Sequence, residues 1–446
     1  MNPSAPASLS AVRHIPGETG VPFVGHALRF VTDPRALLER MRKRHGACYR
    51  TQFLGMHNVT MLGEDALELA LRDRDEAFSN EHGWGFSLGR MFPNGLMLRD
   101  FTVHRHHRRI MQSAFRKAAL EGYLAGINER IAATLPGWAD VPDFRFYPHI
   151  KALTLDNAAG LFLGLELGPE ADALNRAFVD TVEATLALVR VPVPGLKLAR
   201  GLEGRALLVD FIRRHIAARR AQPERRDMFS QLCHATDEEG RRFGDDEVVD
   251  HLVFLLMAAH DTVTSALTST AYRLAANPLW QSRLREASQA LGAPHVGFDD
   301  LPKMELHQHV FDEVLRLDTP VPFIPRRTTK PVVFRGHMIP ACAHVSVVPD
   351  FTHRDPRFYM EPERFDPTRF FSERAEHRAH PFAFVPYGGG AHTCIGRAFA
   401  YLLVKAFLHP FLLRYRLRLP EGRRHVMRRV PIPKPTDGLP LILERV

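Results

Sequence analysis

Residues 245–277, DDEVVDHLVFLLMAAHDTVTSALTSTAYRLAAN, keep apolar side chains at helical spacing without a break. Asp245 or Asp246 supplies an N-cap, and Asn277-Pro278 a stop. At ~1.5 Å per residue such a helix is about 50 Å long, so it is expected to cross the whole molecule. In its middle, LLMAAHDT at 255–262, the carboxylate of Asp261 and the hydroxyl of Thr262 interrupt the apolar stripe. An ionised aspartate in such surroundings is costly unless paired, which implies a functional placement or a structural salt bridge.

A second stretch, PFAFVPYGGGAHTCIGRAFA at 381–400, runs three glycines (Gly388, Gly389, Gly390) into Cys394 and Gly396, ahead of a helix-prone run from Arg397. Where a shaped loop meets a helix start, the local positive field favours thiolate over thiol. One open-faced thiolate suits an axial position on haem iron; a buried cysteine beside a tight turn is the plainer alternative. The other cysteines (Cys48, Cys233, Cys342) are far apart and form no CxxC pair, so neither a disulfide framework nor a zinc site is indicated, and a reducing cytoplasm fits.

Length alone would allow about three domains, but no linker, low-complexity tract or internal repeat divides the chain. The first 20 residues hold no apolar core of signal-peptide length, and the longest apolar run, 252–259, is too short to span a bilayer. The chain is therefore expected to be soluble, without a membrane anchor. The net charge of +9 is spread along the whole length. Nucleic acid or an acidic protein partner would fit it equally well.

Along the chain, Asp33-Pro34 opens a helix to His45, 49–54 and 58–62 form a hairpin, and 64–72 is helical. Residues 79–101 read as a glycine-rich loop whose Trp84, Phe86, Leu88, Met91 and Phe92 fold over something apolar. Residues 104–118 open a helix with a basic cluster. Residues 121–243 are mostly helical; there Phe178, Val182, Thr185 and Leu186 face a ligand or, more simply, the core. Residues 332–334, 337–339 and 344–349 are short strands of one sheet, and 428–437 is a proline-rich turn before a last strand.

Tyr387, Gly390, His392, Cys394 and Gly396 fall at the spacing of the haem-binding loop of the cytochrome P450 family, which this sequence resembles from about residue 15 to 446. Tyr387 stands where the family usually has Phe, adding a hydroxyl beside the thiolate. Four more motifs follow the family's order. His104 and Arg108 resemble its HxxxR helix, whose two basic side chains pair with a haem propionate, while His106 and His107 read as structural. Residues 258–262 resemble its oxygen-activation motif: Thr262 hydrogen-bonds the bound oxygen and Asp261 feeds protons. Ala259 replaces the usual glycine there, and Val263 a second hydroxyl. Glu313 and Arg316 resemble its ExxR pair, with Arg364 in the Pro362-Glu363-Arg364-Phe365 segment as third partner; these three are structural.

The resemblance implies a mainly α fold with small β-sheets (α+β). This is a single cytochrome P450 domain over 15–446 after a flexible 1–14, with haem b (iron protoporphyrin IX) between the long helix and the Cys394 loop. Tyr387, Gly388, His392, Gly396 and Ala259 would border the cofactor. Arg326 would be a second propionate partner, with Arg327 as fallback. Trp84, Phe86, Leu88, Leu255, Val321, Phe323, Ile324 and Pro433 would line the substrate pocket. The implied activity is a cytoplasmic haem-thiolate monooxygenase hydroxylating or epoxidising a sizeable apolar substrate such as a terpenoid, steroid, retinoid or fatty acid. Electrons would come from a ferredoxin or flavodoxin with its NAD(P)H reductase, docking on Arg105, Arg109, Arg397 and Lys405. The alternatives are a peroxide-using peroxygenase or isomerase, which Asp261-Thr262 argues against, and a haem-sensing or nucleic-acid-binding protein, which scattered charge disfavours.

Overall fold

Proline fixes φ and lacks an N–H, so it suits a first helical turn. The helix Pro34–His45 uses it so, with the Asp33 carboxylate accepting the Ala36 N–H at 3.0 Å. This computed structural model describes residues 6–164, 168–185, 187, 190–225, 227–422 and 426–446; Leu186, expected to face a ligand or the core, lies outside them. The chain forms two compact units, one from residues 1–84, 309–394 and 425–436, the other from 85–308, 395–424 and 437–446.

The first unit is built on a five-stranded sheet in the spatial order Cys48–Phe53, Met56–Met61, His344–Val347, Ile324–Thr328, Phe78–Ser79. Met56–Met61 and His344–Val347 run parallel, with Val59 opposite Val345; the other pairings are antiparallel. Val332–Phe334 pairs only with His337–Ile339, as a separate ribbon. The three strands expected in one sheet thus divide between two. One face of the larger sheet buries Val59, Met61, Val345 and Val347 against Leu67, Ala70 and Leu71 of the helix Glu64–Arg72. Residues 6–14, expected to be a flexible lead, join this core: Val12 is buried in it and the Ala7 N–H donates to the Cys342 carbonyl.

The second unit is helical. Its axis is Asp245–Ala276, most of whose side chains are buried. The N-cap is Gly244, whose N–H donates to the Glu247 carboxylate at 2.9 Å, and not Asp245 or Asp246. Those two sit in the first turn, where carboxylates meet the helix's positive end, and pair with Arg220 and Arg213. Phe146–Ala158 packs along this helix, strapped by a 2.7 Å hydrogen bond between the Thr154 and Thr264 hydroxyls. Trp138, Phe144, Phe146, Phe407 and Phe411 form an aromatic cluster, with Phe407 stacked on Phe411 and the other pairs at edge and tilted angles. The strands Tyr415–Arg418 and Ile442–Arg445 close the unit as an antiparallel pair. Two segments, Asp245–Ala276 and Gly390–Arg414, are long and apolar enough to cross a membrane, and both are mostly buried inside the protein.

Part of 79–101 departs from the loop expected there, because Asn80–Leu88 is a helix. Gly83 serves close approach, since a Cβ on it would lie 2.6 Å from the Arg326 Cα.

Candidate active site

In the first unit, the glycine run ends in the short turn Gly390–His392, then Cys394, then the helix Arg397–Arg414, which belongs to the second unit. Gly388 and Gly390 both have positive φ, and a Cβ on Gly390 would lie 1.8 Å from the Leu71 carbonyl oxygen. Only glycine fits there, which fixes the loop against the helix Glu64–Arg72. The Cys394 N–H donates to the Tyr387 carbonyl at 2.9 Å, closing the loop, and the cysteine is exposed. It is the one exposed cysteine; Cys48 and Cys233 are buried and burial pushes both thiols up to about 11.

Beneath this loop lies a buried network. Arg316 and Glu313 are both fully buried and joined by two 2.7 Å hydrogen bonds. The remaining Arg316 hydrogens go to the carbonyls of His353 and Pro362 at 2.8 Å and of Arg364 at 3.3 Å. Burial pushes the Glu313 carboxyl up, against the pull of Arg316, the Asp366 N–H and Arg369. Arg364 is not the third partner. Its side chain is exposed and pairs with Glu361, while its carbonyl faces the network. The third arginine is Arg369, buried, with Nε 3.4 Å from Glu313 and its other nitrogens on Glu376 and the carbonyls of Met360, Glu361 and Arg364.

His353, which the sequence reading missed, joins this network to the loop. The Val385 N–H donates to its Nε2 at 2.9 Å, so the ring hydrogen sits on Nδ1, donating to the Thr319 hydroxyl, which donates to the Leu315 carbonyl. Burial pushes His353 down to about 3, and likewise His307 to about 3 and His107 and His344 to about 4. Folded pKa values below the ordinary 6.5 mean that the unfolded chain binds protons the folded one refuses. Stability is thus full above pH ~6.5 and drops as pH falls toward the folded values. By pH 5, His353 alone accounts for up to about 2 kcal/mol of the loss. A urea midpoint flat above pH 7 and falling steadily below 6.5 is the expected outcome; a midpoint unchanged down to pH 5 contradicts it.

Arg326 and Arg327 are both buried on Ile324–Thr328. Arg327 donates to the Cys342 carbonyl at 3.2 Å and Arg326 to the Pro325 carbonyl at 2.9 Å, so each guanidinium has a backbone partner and neither is set apart as the ligand-facing one. Val321 and Ile324 pack in the sheet core, and Phe323 packs on Phe30 at 4.9 Å between ring centres, so core packing accounts for all three. Trp84 is half-buried and Pro433 buried.

In the second unit, His104 and Arg108 lie on Phe101–Met111, His104 buried and Arg108 half-buried. His107 is also buried, with Nδ1 2.8 Å from His251 Nε2, a contact within the protein that accounts for it by packing. Leu255 is buried on the long helix and Leu88 near the end of Asn80–Leu88. Phe86 is 50% exposed, against expectation, with the Arg190 guanidinium 4.8 Å over its ring. The Thr262 hydroxyl donates to the Ala258 carbonyl at 2.8 Å, and Asp261 lies 3.0 Å from Nδ1 of His260. Lys405, expected on a basic docking face, is buried instead, holding the Leu301 carbonyl at 2.8 Å and Gln308 at 3.2 Å. Arg105, Arg109 and Arg397 are exposed.

No group of three or more His, Cys, Asp or Glu side chains able to hold a metal ion occurs among the described residues. A single exposed thiol on a rigid loop suits one axial ligand position, and buried basic side chains on other elements suit carboxylates, so the residues fit a haem.

The chain belongs to the cytochrome P450 family, whose model matches residues 15–436. It is an oxygen-incorporating oxidoreductase with the family's mainly helical fold. The Mycobacterium tuberculosis protein "Putative cytochrome P450 136" is 37% identical, over 97% of this chain and 89% of that one. Ent-kaurenoic acid oxidase 1 of Arabidopsis thaliana is 28% identical, over 97% and 91%. The solved structure of cyanobacterial CYP120A1 with retinoic acid bound superposes with a TM-score of 0.86 at 28% identity, covering 97% of this chain and 99% of that one.

Proposed function

We propose that the protein is a cytoplasmic haem-thiolate monooxygenase that takes electrons from a separate donor and hydroxylates or epoxidises a sizeable apolar substrate. The observation that carries this reading is the Cys394 loop: one exposed thiol, locked by Gly390 against Leu71 and by its own N–H on Tyr387. Bound haem b supplies oxygen activation and transfer of one oxygen atom to a C–H or C=C bond. The chain's own residues supply the rest. Cys394 ligates the iron, while His104, Arg108 and Arg326 take the propionates. Tyr387, Gly388, His392, Gly396 and Ala259 border the ring. Because the Thr262 hydroxyl donates to Ala258, its oxygen keeps lone pairs that accept a hydrogen bond, and Asp261, 20% exposed at its side chain, exchanges protons with water.

The substrate class rests on two relatives whose names carry apolar acids, retinoic acid and ent-kaurenoic acid. A retinoid or terpenoid is favoured on that ground, with steroids and fatty acids behind. The donor is a ferredoxin or flavodoxin with its NAD(P)H reductase, meeting a basic face that includes Arg105, Arg109 and Arg397 but not Lys405. Two measurements test this. A panel of apolar acids, scored by the haem spin-state shift, is expected to return at least one binder of micromolar strength. Turnover is expected with NAD(P)H, ferredoxin and reductase, slowing with added salt and with R109E/R397E. Turnover with hydrogen peroxide alone, indifferent to those changes, would instead support the peroxygenase.

A further inference from the structure

Two arginines of the second unit, Arg90 and Arg190, meet beside the exposed ring of Phe86. The Arg190 guanidinium lies 4.8 Å over that ring, and it donates to the Phe86 carbonyl and, at 3.3 Å, to the Thr185 carbonyl. Arg90 donates to the Arg190 carbonyl at 2.6 Å. All of these acceptors are neutral carbonyls, so among the described residues neither charge is met by a carboxylate. Acids nearby in the chain serve other cations: Glu183 pairs with Lys197 at 3.1 Å and Asp180 with Arg200 at 3.6 Å. Burial, then the charge of Arg90, holds Arg190 below its ordinary pKa, as expected of two close guanidiniums without a counterion. The surface next to them is apolar. Val191, Val193 and Leu196 are exposed along with Phe86, on a stretch shaped by Pro192, Pro194 and the Val193 N–H on the Val191 carbonyl at 2.9 Å.

We infer that Arg90 and Arg190 form a carboxylate-binding site that selects an apolar monocarboxylic acid, its hydrocarbon lying on Phe86, Val191 and Val193. Carbonyl contacts alone do not require charge, since a neutral amide side chain donates to a carbonyl as well. Two adjacent like charges repel, and an anion seated between them turns that cost into attraction. The planar guanidinium fork also matches a carboxylate in shape, as it does not match a hydroxyl. The apolar strip beside the charges suits a ligand that is anionic at one end only. That the bound acid is the substrate rests on the monooxygenase reading; the binding itself does not.

The test is titration calorimetry on the holoprotein with retinoic acid, ent-kaurenoic acid and palmitic acid, each beside its own alcohol. At least one acid is expected to bind about tenfold or more tightly than its alcohol, a preference that shrinks with added salt because the site is exposed. Arg90→Gln and Arg190→Gln keep a donor for the carbonyls and remove the charge. Each is expected to weaken the acid by about tenfold, the size of one charge-assisted hydrogen bond, and to leave the alcohol within about twofold. Acids that bind no better than their alcohols, or an acid preference that survives both substitutions, overturn the inference. Acid and alcohol weakened alike would mean that the arginines only clamp two segments together, and the inference fails then too. None of these readings needs turnover, so an acid held by the two arginines yet never oxidised counts against the monooxygenase reading alone.

Discussion

Replacing Cys394 by serine is expected to remove the thiolate-type band of the reduced CO-difference spectrum and nearly all turnover, while the protein stays folded. The expectation follows from where the sulfur sits. Cys394 is exposed, so its side chain is not part of a core whose packing the change would spoil. The loop is shaped by the backbone: Gly390 against the Leu71 carbonyl, the Cys394 N–H on Tyr387 and the Thr393 N–H on Gly390. Serine keeps all of these contacts. What it loses is the donor that sets the electronics of the iron, and the loss should exceed the roughly 10–100-fold that follows removal of a partner behind the ligand. The checks are the spectrum, turnover and a urea midpoint within about 0.5 kcal/mol of wild type. A serine variant that keeps the thiolate-type band would show that another atom holds the iron.

Much of this site is legible in the sequence where a local rule acts alone. Asp33-Pro34 fixes a helix start, Glu64–Arg72 follows from its apolar face, and Asp245–Ala276 ends where Asn277-Pro278 forbids continuation. The glycine–cysteine loop is legible because its backbone shape is sequence-local. What fails is whatever depends on a distant partner. Gly83 and Gly85 look like loop residues, yet Gly83 sits in a helix because Arg326, far along the chain, packs against its missing side chain. Lys405 looks like any solvated lysine of a helix face until Leu301 and Gln308 are found around its ammonium. His344–Val347 reads as one ribbon with its sequence neighbours, but its partners are Met56–Met61 and Ile324–Thr328. His353 gives no signal at all among 24 histidines; its importance comes from three contacts, none of them local in sequence.

The largest stability effect is expected from Arg316→Met. It leaves the Glu313 carboxylate fully buried without its two-pronged partner, and strips donors from the carbonyls of His353, Pro362 and Arg364. Breaking a buried pair on one side costs about 3–5 kcal/mol, far more than the pair contributes against an apolar replacement, because the remaining charge stays out of water. The damage is also expected to reach the cysteine loop. Arg316 lies 4.8 Å over the Tyr359 ring, whose hydroxyl donates to the Ala383 carbonyl, and it holds His353, which holds the Val385 N–H. Haem retention should therefore drop together with the urea midpoint, whereas Cys394→Ser moves the spectrum alone. The identity of the third arginine gives the sharper comparison. Arg369→Met removes a buried guanidinium from Glu313, Glu376 and three carbonyls, and is expected to cost at least about 2 kcal/mol. Arg364→Ala deletes an exposed pair with Glu361 and leaves its carbonyl in place, so less than about 1 kcal/mol is expected. Equal losses at the two positions would mean that the Arg364 side chain reaches the network after all. A wide gap means that Arg364 serves it through its backbone, the one part of the residue that substitution cannot remove.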